Sequence, residues 1–183
     1  MSQKSPLRLG ILGCANIARQ FARDVKDSEA VSLVAVASRD LAKAEEFGNT
    51  FGIPTRHGSY EALLASTEID AVYIPLPNSM HAEWTIRAAE HGKHILCEKP
   101  LGLNRTETQA MFAAAKAKGV MLLEAYPYWF QPQIAELLAR LGDGGIGAVR
   151  TVQASFGFTL ANPDNNIRMK PDLGGGALMD AGC

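Results

Sequence analysis

Three short stretches of the chain carry residue types that do chemistry together in one particular setting. The first, L-R-L-G-I-L-G-C-A-N-I-A from Leu7 to Ala18, sets apolar Leu7, Leu9, Ile11 and Leu12 before small Gly13, Cys14 and Ala15. Residues without bulk let a backbone approach a pyrophosphate, whose charge then rests on the free N–H groups and dipole of a helix N-terminus. The G-x-G-x-x-G spacing falls on Gly13, Ala15 and Ala18, so alanine stands at two of the three small positions. An ordinary strand–helix turn packed with small residues has the same look, and alone this turn is a weak signal. The second stretch is Ser38-Arg39-Asp40. Where a fold of this kind binds NAD, an acidic residue at this point takes the ribose hydroxyls; Arg39 instead offers forked, charge-assisted bonds to a 2′-phosphate, which favours NADP over NAD. The competing reading makes Arg39 a solvated charge and Asp40 the cap of the next helix. The third stretch is Cys97-Glu98-Lys99-Pro100. A lysine and a glutamate at a strand end, fixed by a proline, suit a site better than a surface, and the Lys99–Pro100 bond is open to the cis form.

Alternating strands and helices must position these residues. Leu7–Leu12 and the β-branched run Val31–Ala37 read as strands, with a helix from Ile17 to Lys26 between them whose inner face is Phe21, Ala22 and Val25. Leu41–Phe51 is helical until Gly52-Ile53-Pro54 breaks it, and Ser59–Ala65 is a helix capped by Ser59. Ile69–Ile74 is a strand stopped by Pro75-Leu76-Pro77-Asn78, a stiff loop at the strand end where open parallel sheets place their ligand crevice. His81 starts the next helix, as a capping or packing residue more readily than as a catalyst. Lys93–Leu96 is a strand, Arg105–Lys118 a helix ended by Gly119, and Val120–Leu123 is counted as the sixth strand. Alternation over about 125 residues makes an α/β doubly wound parallel sheet with right-handed crossovers. After Glu124 the aromatic, proline-rich Ala125–Pro132 marks a domain junction, giving a Rossmann domain over 1–124 and the start of a second, α+β domain over 125–183. In that second part Gln133–Leu141 reads as a helix and Ala148–Phe158 as a half-buried strand of a mainly antiparallel sheet.

Composition narrows the partners. The 183 residues are 47 % hydrophobic and 20 % charged with a net charge of −1, which favours neither nucleic acid nor an acidic membrane. Cys14, Cys97 and Cys183 have neither disulfide-framework nor zinc spacing and fit a reducing compartment. No metal site is expected. The sequence holds no signal-peptide run and no apolar stretch of about 18 residues, so a cytoplasmic protein is expected.

The motifs together resemble the Gfo/Idh/MocA (glucose–fructose oxidoreductase / inositol dehydrogenase) family: G-I-L-G-C-A-N-I-A (10–18), A-S-R-D (37–40), Y-I-P-L-P-N-S-M-H (73–81), C-E-K-P (97–100), L-E-A-Y (123–126) and G-G-G-A-L-M-D-A-G (174–182). The A-S-R-D and D-A-G-C segments resemble its NADP-dependent D-xylose and trans-dihydrodiol dehydrogenases. The resemblance implies a cofactor site drawn from Gly10, Gly13, Cys14, Ala15, Asn16, Ile17, Ser38, Arg39, Pro75, Leu76, Asn78, His81, Glu98, Lys99 and Glu124. It implies that Lys99 hydrogen-bonds the reacting hydroxyl and that Asp180 orients the substrate or the base, with Tyr126 and Arg168 as pocket residues. Lys99 as a structural partner of Glu98 or Glu124, and Arg168 as a surface charge, are the bland alternatives. Family members run to well over 300 residues and form oligomers, so a truncated chain is expected, with the family's general acid/base just beyond Cys183. The implied activity is NADP-dependent hydride transfer to or from a sugar, polyol or dihydrodiol carbon. The other class open to the sequence is a non-catalytic NAD(P)-binding regulator; retention of both Lys99 and Asp180 favours the enzyme.

Overall fold

A computed structural model describes residues 5–160 and 162–182. Cys183, and with it the position expected for the base, lies outside them. Six strands form one parallel sheet: β1 (Leu7–Leu12), β2 (Val31–Ala37), β3 (Thr55–His57), β4 (Ala71–Ile74), β5 (His94–Glu98) and β6 (Leu122–Ala125), in the order β3-β2-β1-β4-β5-β6. Both faces are covered. On one, Leu9 and Ile11 of β1 pack with Ala18 and Ala22 of α1 (Asn16–Asp24) and with Ala44 and Phe47 of α2 (Leu41–Phe51). On the other, Leu12 packs with Leu63 and Leu64 of α3 (Tyr60–Ala65), Trp84 and Ala88 of α4 (His81–Glu90) and Met111 of α5 (Arg105–Lys118). Continuous apolar strands such as Ala71-Val72-Tyr73-Ile74, all buried, are what a sheet covered on both faces requires.

Local signals set the helix limits. Asp40 accepts the Ala42 N–H at 3.1 Å, Ser59 that of Ala62 at 3.2 Å and Asn104 that of Glu107 at 3.0 Å. Gly52 and Gly119 close α2 and α5 in the left-handed conformation. The sixth strand that the alternation demanded proves to be β3, three residues long at the sheet edge. Val120 and Met121 precede β6, which runs instead to Ala125.

Past the sheet, a 3-10 turn over Pro127–Phe130 leads into α6 (Pro132–Gly142), and three further 3-10 turns lead to α7 (Ala177–Ala181). The expected strand over Ala148–Phe158 is not formed. The backbone there has no ladder partner among the described residues, and Val152, Phe156 and Phe158 are exposed. An alternating pattern makes a strand only when a neighbour pairs with it.

Candidate functional site

The strand order reverses between β1 and β4, so the helices that follow them leave on opposite faces and a crevice opens between their C-terminal ends. A cleft of about 430 Å³ lies there. Ala15, Asn16 and Ile17 line it from the turn after β1, Pro75, Leu76 and Asn78 from the loop after β4, Glu98 and Lys99 from the end of β5, and Arg168, Gly175 and Asp180 from the C-terminal segment.

Its β1 end is built for an anion. Gly13 sits at φ +108°, and a Cβ there would meet Leu76 Cδ2 at 2.9 Å, so only glycine makes this turn. The nine residues of α1 begin after Ala15 with no side-chain cap, unlike α2, α3 and α5, and with no acidic residue in the first turn, unlike α3 and α5. Uncapped N–H groups and the positive dipole end therefore face the cleft, which fits a dinucleotide pyrophosphate. At the end of β2, Asp40 is committed to capping α2 and Ser38 is buried, its hydroxyl accepting the Asp40 N–H at 3.2 Å. Arg39 remains as the exposed charge, its guanidinium beside the Tyr60 hydroxyl. Burial raises the Tyr60 pKa, and Arg39 partly opposes that rise.

Lys99 occupies the floor. Tyr73, buried in β4 and stacked on Phe21 with ring centroids 4.2 Å apart, donates its hydroxyl to Glu98 Oε1 at 2.6 Å. Glu98 Oε2 accepts the Lys99 N–H at 3.3 Å. The Lys99–Pro100 bond is cis. Lys99 Nζ donates to the Asp180 carbonyl and lies 3.2 Å from Asp180 Oδ1, while Asp180 Oδ2 accepts Arg168 Nε at 2.6 Å. Burial pushes the Asp180 carboxyl up; the bonds from Arg168 and then Lys99 outweigh it and hold the group below the usual carboxylate range. The glycine run makes this approach possible. Gly174 has φ +74°, and a Cβ on Gly175 would stand 2.6 Å from the carbonyl oxygens of both Ile167 and Arg168. Asn78 Nδ2 donates to the Gly174 carbonyl at 2.8 Å and ties this segment to the loop after β4.

Several residues stand elsewhere than expected. His81 is fully buried, its Nδ1 and Nε2 each 2.8 Å from a carbonyl oxygen, of Pro100 and of Leu76. It braces two loops and is not among the residues lining the cleft. Glu124 accepts the Leu101 N–H at 2.9 Å through Oε1, so it supports the Lys99 loop from behind. Cys14 directs its sulfur at the Lys43 carbonyl, 3.6 Å away, with only its backbone at the turn. Gly10 lies inside β1 against Leu63 and Ile69. Tyr126 packs edge-on to Tyr128 at 6.1 Å and is not among the residues lining the cleft. Arg168, expected as a substrate residue, grips Asp180. Sequence reasoning missed Tyr73, whose place in an apolar strand disguised its hydroxyl, and Asn166, Ile167 and Leu173, which line the cleft from turns without regular pattern.

A doubly wound parallel sheet with a glycine turn and an uncapped helix at its switch point defines a dinucleotide-binding domain of the Rossmann class. The chain belongs to the GFO_IDH_MocA family, the oxidoreductase family with an NAD-binding Rossmann fold, whose model matches residues 7–126. It is 45 % identical over 177 residues to D-xylose 1-dehydrogenase (NADP(+)) 2 of Haloferax volcanii, covering 97 % of this chain and 54 % of that protein. Among solved structures it is similar to the 3-ketoreductase KijD10 of Actinomadura kijaniata in complex with NADP and TDP-benzene, at 36 % identity and a TM-score of 0.84, with 97 % of this chain and 54 % of that one covered. Aldose–aldose oxidoreductase of Caulobacter crescentus gives 34 % identity and a TM-score of 0.87, covering 96 % and 54 %. The chain thus spans about half the length of the curated relatives it matches.

Proposed function

We propose that this chain supplies the cofactor site and the Lys99–Asp180 pair of an NADP-dependent oxidoreductase acting on a hydroxyl-bearing carbon of a sugar, sugar nucleotide, polyol or dihydrodiol. The observation that carries the reading is the placement of Lys99 Nζ, paired with Asp180, on the floor of a cleft whose other wall is the uncapped α1 N-terminus. The nicotinamide, when bound, supplies the hydride acceptor or donor. Ala15, Asn16 and Ile17 receive the pyrophosphate on their backbone N–H groups, and Arg39 takes the 2′-phosphate. Lys99 hydrogen-bonds the substrate oxygen and stabilises negative charge as the hydroxyl proton passes to the general base expected beyond Cys183, an electrostatic role set in advance of the reaction. Asp180 fixes the lysine. A purely regulatory NAD(P) binder has no use for such a pair. The names of the relatives support both the cofactor and the substrate class, since a dehydrogenase named for NADP and D-xylose and a ketoreductase solved with NADP both cover nearly this whole chain.

Cofactor choice provides the direct test. By fluorescence titration, NADPH should bind at least tenfold tighter than NADH, about 1.4 kcal/mol, and Arg39→Ala should remove most of that gap without unfolding the chain. Equal affinities in the unmutated chain would overturn the assignment. The 183 residues alone should bind NADPH without turnover, since the expected general acid/base lies beyond Cys183. Activity is then read, in the protein carrying this chain together with that base, as NADP+ reduction with D-xylose, inositol and a trans-dihydrodiol.

A further inference from the structure

Arg168 is held at several points. Its guanidinium Nε donates to Asp180 Oδ2 and its Cζ stands 5.6 Å from the Phe158 ring centroid, while its backbone N–H donates to Asn166 Oδ1 at 3.1 Å and its backbone carbonyl accepts the Gly176 N–H at 2.8 Å. The Arg168–Asp180 bond, at 2.6 Å, is shorter than the 3.2 Å between Asp180 Oδ1 and Lys99 Nζ. Asp180 is thus a single carboxylate between two cations, one oxygen turned to each. We propose that Arg168 is a positioning residue of the reaction: it holds Asp180 ionised and aligned on Lys99, and leaves the trio with one uncancelled positive charge beside the oxygen that loses its proton.

This rests on the reading of the cleft as an oxidoreductase site. With Lys99 and Asp180 alone the pair is neutral, and an alkoxide gains little from it. With Arg168 added, the carboxylate is shared and the lysine keeps the charge that stabilises the transition state. The other charged group on this cleft wall, Glu98, is committed to the Tyr73 hydroxyl and to the Lys99 N–H.

Two variants separate the roles, R168Q and R168K. Lysine reaches Asp180 Oδ2 with its charge but loses the guanidinium contact with the Phe158 ring. Carbon-detected NMR of the Asp180 carboxyl needs no substrate: its titration midpoint should move to higher pH in R168Q and stay low in R168K. In turnover of the protein carrying this chain together with its general acid/base, with NADP+ and an aldose or polyol, R168Q should lower kcat by roughly 10² with KM little changed, as misplacement of a reacting group does. The acid limb of its pH–rate profile should shift upward in pH, and R168K should recover most of the rate. An unmoved Asp180 midpoint in R168Q overturns the proposal. A loss confined to KM that lysine does not restore also overturns it, and makes Arg168 a substrate contact. Absence of turnover with every aldose and polyol would count against the proposed function, while the NMR titration still decides what Arg168 does to Asp180.

Discussion

Replacing Lys99 by methionine should lower kcat by about 10² to 10³, the usual cost of losing one aimed donor to a developing oxyanion, and leave both folding and NADPH affinity nearly unchanged. The separation follows from how Lys99 is held. Its side chain is 29 % exposed, so its ion pair with Asp180 contributes only about 0–1 kcal/mol to stability. Methionine has similar length and fills the same space. Asp180 keeps Arg168 on its other oxygen and is not left as an unpaired buried charge. The pyrophosphate end of the cleft, at Gly13 to Ile17, does not touch this residue. Steady-state kinetics of the protein carrying this chain, together with thermal melts and NADPH titration, check all three parts. Retention of half the original rate would make Lys99 a structural residue and remove the proposed mechanism.

His81 should behave in the opposite way. His81→Ala is expected to cost about 3 kcal/mol or more, because it leaves a buried carbonyl oxygen without its imidazole donor and opens a cavity at a fully buried position. For a chain of this size that is a fall in Tm of roughly 10 °C. NADPH binding should weaken along with stability, since Leu76 lines the cleft and Pro100 follows Lys99, and the imidazole is what joins their backbones. Differential scanning calorimetry decides it. A Tm within about 3 °C of the parent, combined with lost turnover, would make His81 a functional rather than a packing residue.

Much of the fold was written locally. The limits of α2 and α5 agree with the sequence reading because a capping side chain or a left-handed glycine stands at the ends of each. The strand β3 was invisible because Thr55-Arg56-His57 carries no apolar signature and exists through pairing with Ala35, Val36 and Ala37. Ala148–Phe158 fails for the converse reason, an alternating pattern with nothing beside it. At the site, Gly13, Arg39 and Lys99 were legible as types suited to phosphates and to charge. The role of Arg168 was not, for its meeting with Asp180 depends on a chain reversal through Gly174 and Gly175. His81 was legible as a packing residue, but its contacts with the Leu76 and Pro100 carbonyls are a product of tertiary packing alone.

The central seam between β1 and β4 has a consequence for the chain as it is made. Leu9, Gly10 and Ile11 pair with Ala71, Val72 and Tyr73. A ribosome therefore releases β1, β2 and β3 well before the strand that covers the open side of β1. At about 5–20 residues per second, the interval between Leu12 and Ile74 is roughly 3 to 12 s. For that time the backbone edge of β1 over Leu9 to Ile11 lacks its β4 partner and is open to pairing with a neighbouring nascent chain. Chaperone shielding at the exit tunnel matters most in this interval, and substitutions that slow the docking of β4 should lower soluble yield even where the finished protein is stable.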